Sequence, residues 1–161
     1  MKRLPLFLGL AAAVAGLSSC EKEVENVPTP EPAAAASAEQ KATLLLASDW
    51  KLAAQTVSTA GLETDLLVMM KPADRDNLSK FQAAGAFVFD EGATKRMADR
   101  PQQTAGTWHL SPAADSLTIT AAGKSSRYAV AELSATTLRL VCSEAGPNGQ
   151  PATVFTTVYK H

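Results

Sequence analysis

The sequence predicts an all-β fold: an antiparallel, up-and-down β-barrel of about eight strands, preceded by a short N-terminal helix. Two observations carry this prediction. Short stretches rich in β-branched and aromatic residues recur from Trp50 onward, and turn-forming residues separate them at intervals of about 8–14 residues. Each predicted strand can also pair with its successor. Closing such a meander into a barrel removes its exposed edges and leaves an interior that holds side chains or one small ligand.

The first elements show mixed signals. EQKATLLLA at 39–47 predicts a short helix, and DWKLAAQTV predicts a strand whose alternation opens at Trp50. DLLVMM at 65–70 is a continuous apolar run, typical of a strand buried on both faces or packed under a loop. We expect KPADRDNLSKF at 71–81 to be a polar loop with at most one helical turn, because Pro72 disfavours a preceding helix.

The later strand signals are clearer. GAFVFDEG predicts a strand with Phe87 and Phe89 on one face, ended by an acidic turn. GTWHLSPAADSLTIT predicts a hairpin around the SPAAD turn. Four apolar side chains of this hairpin share one facing: Trp108, Leu110, Leu117 and Ile119. Three further predicted strands complete the barrel: 126–133, 136–142 and 152–160.

The N-terminus has the form of a secretory signal. A basic MKR start precedes an uncharged run over residues 4–17, which is shorter than the roughly 20 apolar residues that span a bilayer. LSSC at 17–20 resembles the bacterial lipoprotein signal, the lipobox. That resemblance implies attachment of diacylglycerol to Cys20 and cleavage before it. The alternative is an ordinary signal peptide with a cleavage site nearby and an accidental cysteine.

These features divide the chain into a lipoprotein signal peptide (1–19), an acidic, Pro- and Ala-rich tether (20–38) and a folded domain (39–161). Removing the two basic residues of the signal lowers the formal charge from −1 to −3. The acidic start of the tether is either a surface-export signal or a merely solvated stretch. Once Cys20 is acylated, Cys142 has no disulfide partner, so it is a small buried hydrophobe or a reactive thiol.

Five segments of the folded part resemble one family when taken in order. They are DWKL at 49–52, DNLSKF at 76–81, FVFDEGATK at 87–95, GTWHLS at 106–111 and YAVAELSATTLRL at 128–140. Together they resemble the bacterial lipocalin-like domain of small lipoproteins, over nearly all of residues 44–160. The resemblance implies a calycin-type up-and-down barrel and implies no catalytic residue. Some members carry cysteines around the DN and DEGATK motifs, whereas this chain has none there.

The anchor and the barrel predict an envelope lipoprotein, a monomer attached to the outer membrane on its periplasmic or surface face. We expect it to bind a small hydrophobic ligand or to act as a binding scaffold. The candidate ligand-binding walls are Trp50, Phe87, Phe89, Trp108 and Tyr128. Filling of the core is the competing interpretation for the two tryptophans. The alternative function is a structural or inhibitory protein whose plugged barrel docks a partner through loops at 71–80 or 143–151.

Other classes of function find little support in the residues. An EF-hand counted from Asp74 requires glycine at its sixth and glutamate at its twelfth position, where this chain has Ser79 and Gly85. His109 and His161 are isolated and cannot form a zinc site alone. There is no G-x-S-x-G motif, so a hydrolase would need an unrecognised site. We therefore expect no enzyme activity, metal or cofactor, and the negative charge disfavours nucleic acid.

Overall fold

Eight antiparallel strands close into a barrel, and a ninth short strand lies outside it. The computed structural model describes residues 37–161, so the predicted signal peptide, Cys20 and nearly all of the tether lie outside the described residues. The strands are β1 (Trp50–Thr59), β2 (Leu62–Asp65), β3 (Leu78–Phe81), β4 (Ala86–Asp90), β5 (Gln103–Leu110), β6 (Ser116–Ala121), β7 (Lys124–Leu133), β8 (Thr137–Glu144) and β9 (Thr153–Lys160). The helices are α1 (Ala38–Leu46) and α2 (Pro72–Arg75).

The barrel is a meander that closes where β1 pairs with β9. This closing ladder runs from Lys51 to Thr59 and contains one irregularity near Leu52. On its other side, β1 pairs with β3 only at Trp50 and Lys51. After Lys51, β1 therefore has no barrel strand on that side. The exterior strand β2 pairs only with the C-terminal end of β1, from Thr56 to Thr59.

The predicted hairpin between β5 and β6 is confirmed. Trp108 lies opposite Ile119, and Leu110 lies opposite Leu117, so the apolar side chains of both strands face the barrel interior. His109, between Trp108 and Leu110, is exposed. The Ser111 hydroxyl stabilises the turn, because it accepts hydrogen bonds from the backbone N–H groups of Asp115 and Ser116.

Helix α1 covers one end of the barrel. It begins at a capping box, in which the Ser37 hydroxyl accepts from Gln40 and the Gln40 side chain accepts from the Ser37 backbone. Leu45 is fully buried, and its carbonyl accepts a hydrogen bond of 3.0 Å from the Trp50 indole. Lys41 donates to Ala114 in the turn between β5 and β6. The predicted N-terminal helix is thus confirmed, and it acts as a cover.

Most of the buried core lies beneath this helix. Its members are mainly large and apolar, and they pack into one cluster: Leu45, Trp50, Phe81, Phe87, Leu110, Ala114, Leu117, Leu138 and Leu140. The rings of Phe81 and Phe87 lie 5.4 Å apart in a tilted arrangement. We call this end of the barrel, with the loops 82–85, 111–115 and 134–136, the closed end.

The prediction of a strand at 65–70 is wrong. β2 ends at Asp65, whose carboxylate accepts a hydrogen bond from the Leu67 backbone and starts a single 3₁₀ turn. Val68 and Met69 are 70% and 73% exposed, so this apolar run is not buried. The apolar run was therefore a misleading signal, because hydrophobicity without alternation does not identify a strand.

The prediction of a polar loop at 71–81 is also only partly right. Pro72 occupies the first turn of α2, where its missing N–H costs nothing, so the helix predicted as one possible turn is present. The end of the segment is strand β3, in which Ser79 and Phe81 are buried while the residues between and before them are less so. The short period-two pattern LSKF carried the strand signal.

Candidate functional site

The two ends of the barrel differ in how they are filled. Antiparallel pairing places five connections at the end opposite α1: 60–61, the segment between β2 and β3, 91–102, 122–123 and 145–152. We call this the open end. A cavity of about 480 Å³ extends from this end into the barrel. It lies beside residues 52–55 of β1, which have no strand partner on the side of β3. Its volume falls within the range of about 300–1,000 Å³ typical of small-molecule sites.

Apolar side chains from three separate elements form much of the cavity wall. Leu52 projects from β1, Phe89 from β4 and Tyr159 from β9. Met69 and Met70 contribute from the segment that follows β2. Methionine side chains are flexible and polarisable, so this wall can adapt to the shape of an occupant.

The deep wall also contains polar groups that are almost completely removed from solvent. Ser79 and Thr157 are each 8% exposed, and both line the cavity. The Gln55 amide donates to the Thr157 hydroxyl at 3.4 Å. Burial raises the pKa of Tyr159 to about 12, and the charge of Tyr128 adds to this rise while Ser79 opposes it. At neutral pH the deep wall is therefore polar in places but uncharged.

Residues 66–77, which we call the flap, cover the gap beside β1. The flap is attached to that strand through a backbone hydrogen bond of 2.8 Å from Leu66 to Gln55. Arg75 holds the flap together internally, because its guanidinium donates to the carbonyls of Val68 and Met70. The flap thus lies beside β1 where a longer β3 would otherwise pair with it.

The flap is joined to residues 91–102, which we call the rim loop. The Asp76 carboxylate accepts two hydrogen bonds of 2.8 Å from Thr94, one from its backbone and one from its hydroxyl. The Thr94 hydroxyl is the main cause of the lowered pKa of Asp76. Gly92 approaches so closely that a Cβ there would lie 2.3 Å from the Asp76 carbonyl oxygen.

Charged residues gather at the mouth of the cavity. Lys71 and Arg96 supply two positive charges to the lining, and Asp74 supplies the one negative charge. Arg96 and Asp74 are 3.7 Å apart, longer than a good hydrogen bond, and the Arg96 side chain is largely exposed. Within residues 37–161, Lys71 makes no ion pair. The residues that line the cavity therefore carry one more positive than negative charge, while the carboxylates of Asp76 and Glu91 lie in the same two loops outside the lining.

Two side-chain oxygen atoms of the flap are buried without a hydrogen-bond partner within the described chain, Asp76 Oδ1 and Asn77 Oδ1. Asn77 lines the cavity, and its Oδ1 atom is buried but accepts no hydrogen bond within the described chain. A buried acceptor without a donor costs about 1–3 kcal/mol, so it marks a position where an occupant's donor would be stabilising. Asn77 also lines an adjoining cavity of about 490 Å³ with Asp74, Phe89 and Arg96.

The five predicted wall residues do not all reach this cavity. Phe89 lines it. Trp50 and Phe87 are 0% and 4% exposed and belong to the core of the closed end. For Trp50 the structure therefore favours the competing interpretation, in which the large ring fills the barrel.

Trp108 and Tyr128 are half-buried and also pack against the core. The Trp108 indole donates to the Gln82 carbonyl at 2.9 Å, and its ring contacts Phe81 edge-on. Tyr128 lies opposite Leu117 on the neighbouring strand. Neither side chain lines the cavity beside the flap.

Sequence reasoning missed most of the residues that do line the cavity. The last strand could have supplied two of them, because Thr157 and Tyr159 alternate with outward residues in TVFTTVYK. Ser79 had a similar signal in LSKF. Lys71, Asn77 and Arg96 lie in loops and Asp74 lies in the one-turn helix α2, and the approach of these segments to the mouth depends on the closure of the barrel.

The structure adds three observations on other kinds of site. Within residues 37–161, no three His, Cys, Asp or Glu side chains lie close enough to hold a metal ion. Among the helices of that range, none has the length and hydrophobicity needed to cross a bilayer. Cys142 is half-buried and forms no disulfide within the described chain. The predicted lipidation site, Cys20, lies outside the described residues.

Comparisons with known proteins add no family name. No protein-family model matches the sequence, and a search of curated proteins finds no significant relative. Any statement about function therefore rests on the sequence motifs, the fold and the cavity geometry.

Proposed function

We propose that this protein is a lipid-anchored envelope lipoprotein with a lipocalin-like barrel that binds a small hydrophobic ligand at its open end. The cavity of about 480 Å³ beside the flap carries the proposal, because its volume suits a small ligand and its polar lining is interrupted by a group of apolar and aromatic side chains. The proposed ligand lies among Leu52, Met70, Phe89 and Tyr159. The protein's role is binding, with no chemical step.

The proposed anchor rests on the sequence alone. The LSSC motif, the uncharged run before it and the Pro-rich stretch after it support lipidation of Cys20 and a tether between membrane and barrel. Two or more acyl chains on one cysteine would hold the protein stably at the outer membrane. In the native host, the wild-type chain is expected to incorporate labelled fatty acid and Cys20→Ala to incorporate none, and an unlabelled wild-type chain contradicts the anchor.

Ligand binding is preferred over the scaffold alternative because apolar side chains do not fill the barrel throughout. A plugged barrel that docks partners through loops would need apolar packing throughout, as the closed end has. Around the cavity, by contrast, the buried side chains include the polar residues Ser79 and Thr157.

A matched pair of phenylalanines tests the binding site. Phe89 and Phe155 are both half-buried, and they lie on strands β4 and β9, but only Phe89 lines the cavity. Binding of a fluorescent apolar dye to the mature chain (residues 20–161, with Cys20→Ala) is expected to weaken about tenfold in Phe89→Ala and little in Phe155→Ala.

Native mass spectrometry of protein purified from its own host provides the second readout. A co-purified small molecule that is lost in Phe89→Ala supports the proposal. Absence of any bound molecule, together with absence of dye binding by the wild-type chain, contradicts it and favours the scaffold alternative.

A further inference from the structure

The distribution of charge in the cavity restricts the ligand further. The deep wall offers uncharged groups, since Tyr159 keeps its proton and the Gln55 amide is already hydrogen-bonded to Thr157. The mouth offers two cations and one carboxylate. A ligand with a charge of its own is therefore accommodated only with that charge at the mouth, because burying an isolated charge in the deep wall is costly.

The positive charge at the mouth is available to a ligand. Lys71 makes no ion pair within residues 37–161, and the Arg96–Asp74 separation of 3.7 Å leaves the guanidinium incompletely paired. The Arg96 backbone donates to Glu91 at 3.1 Å, which fixes the residue at the mouth while its side chain stays largely exposed. Lys95, by contrast, donates to carbonyls of its own loop.

Asn77 adds a second requirement. Its buried Oδ1 atom accepts no hydrogen bond within the described chain, and it lies on the same cavity lining as Lys71 and Arg96. An N–H or O–H group placed next to an anionic group would satisfy this acceptor while the anion faces the cations.

We propose that the cavity binds a single-chain amphiphile whose anionic head, with an adjacent N–H or O–H donor, lies at the mouth between Lys71, Arg96 and Asn77. This inference rests on the proposed function, whose ligand it specifies. The apolar chain extends past Met70 and Phe89 toward Leu52. Asp74 competes with the ligand head for Arg96.

Four probes with the same alkyl chain test the inference: N-dodecanoylglycine, dodecanoate, dodecanol and dodecyltrimethylammonium. Binding is measured by isothermal titration, below micelle-forming concentrations, with the mature chain (residues 20–161) carrying Cys20→Ala, which avoids detergent. We expect affinity to fall in the order given, with dodecanoate about fivefold tighter than dodecanol at low salt. This preference is expected to shrink at high salt, because the mouth is open to solvent.

Variants at the mouth separate the head from the tail. Lys71→Gln and Arg96→Gln are each expected to weaken dodecanoate several-fold while leaving dodecanol unchanged. Asp74→Asn is expected to strengthen dodecanoate by a similar factor, an increase that damage to the fold would not produce. Lys124→Gln is the matched control, because Lys124 is exposed at the start of β7 and lies outside the cavity lining.

The outcomes distinguish this inference from the proposed function. Equal affinity for dodecanoate and dodecanol, or tighter binding of dodecyltrimethylammonium, overturns the anionic head while ligand binding stands. Equal affinity for N-dodecanoylglycine and dodecanoate, or an advantage that persists in Asn77→Leu, overturns the adjacent donor. If none of the four probes binds, the proposed function fails and this inference fails with it.

Discussion

The closed end of the barrel is held by interlocking apolar side chains, whereas the open end is held by hydrogen bonds between loops. Beneath α1, residues such as Trp50, Leu117 and Leu138 have no exposed surface. At the open end, the flap is attached to the rim loop mainly through Asp76, Thr94 and a close approach of Gly92. Burial of apolar surface stabilises more strongly than solvent-exposed hydrogen bonds.

This difference teaches how one small barrel can be stable and still accept a ligand. The open end can rearrange locally without unfolding the closed end, because regions with few buried apolar contacts open at lower free energy than the core. A ligand site placed at the end with the weaker packing is thus separated from the part that maintains the fold. The predictions below test that separation, from the largest expected effect to the smallest.

The same substitution is expected to have unequal effects at the two ends. Leu117→Ala removes a fully buried side chain and leaves a cavity, so we expect it to lower the free energy of unfolding by about 3 kcal/mol. Leu52→Ala is expected to cost only about 1 kcal/mol, because Leu52 already borders a cavity. Urea unfolding followed by tryptophan fluorescence measures both. Equal losses would mean that the open end belongs to the same packed core.

Asp90 connects the barrel wall to the rim loop, and its substitution is expected to have the next largest effect. This carboxylate is 8% exposed and accepts hydrogen bonds from Gln102, Gln103 and the Gly92 backbone, with Lys80 at 3.1 Å. Asp90→Asn keeps the shape but removes the charge that these donors surround, so we expect a loss of about 2 kcal/mol at neutral pH. Asp99→Asn, on the exposed part of the same loop, is the control.

The same residue predicts how stability depends on acid. Hydrogen bonds from Gln102 and Gln103, with a further contribution from Lys80, hold the pKa of Asp90 well below its usual 3.8. The unfolded chain therefore takes up a proton at higher pH than the folded chain. The contribution of Asp90 is present above about pH 4 and is lost as the pH falls further. Asp90→Asn should flatten this acid limb of the stability curve, and an unchanged limb in that variant would refute the assignment.

Alanine substitutions at two glycines with positive φ distinguish the effect of backbone strain from the effect of displacing the flap. Gly92 and Gly61 have φ of +66° and +80°, but a Cβ on Gly92 would meet the Asp76 carbonyl, whereas a Cβ on Gly61 would meet nothing within 4 Å. Both alanine variants therefore carry a left-handed strain of about 1 kcal/mol. Only Gly92→Ala is expected to push the flap away.

Amide hydrogen exchange measures this difference. Exchange is expected to accelerate across residues 66–77 in Gly92→Ala, while exchange in the first half of β6, which begins at the closed end, changes no more than in Gly61→Ala. Acceleration that spreads equally to β6 would show that the two ends unfold together.

Much of the fold, but little of the site, could be predicted from the sequence. The β5–β6 hairpin was predictable because turn chemistry and alternation agree over one continuous stretch. The 65–70 run misled because the Asp65 carboxylate accepts a hydrogen bond from the Leu67 backbone and starts a turn there. Apolar residues of that turn are exposed, so their hydrophobicity does not indicate a buried strand. Trp50 and Phe89 carried the same aromatic signal, yet one fills the core and the other lines the cavity. That difference depends on where α1 covers the barrel, which no local pattern contains.

Substitution of Tyr159 is expected to have the smallest effect on stability at neutral pH. The ionisation of this residue also tests how well the cavity excludes water. Burial raises the pKa of Tyr159 to about 12, so the unfolded chain loses this proton first, near its usual 10. The contribution of Tyr159 to stability is therefore complete below about pH 10 and decreases as the pH rises toward 12. Tyr159→Phe is expected to change stability by less than about 1 kcal/mol at neutral pH and to flatten this alkaline loss.

Ultraviolet titration of tyrosinate measures the same ionisation directly, and the chain contains only two tyrosines. Tyr128→Phe should leave one late ionisation, and Tyr159→Phe should abolish it. An occupant of the cavity would remove the remaining water from around the hydroxyl, so bound dodecanoate should delay the ionisation of Tyr159 further. An ionisation of Tyr159 near 10 would instead mean that water reaches the deep wall freely, and the contrast between an uncharged interior and a charged mouth would then be lost.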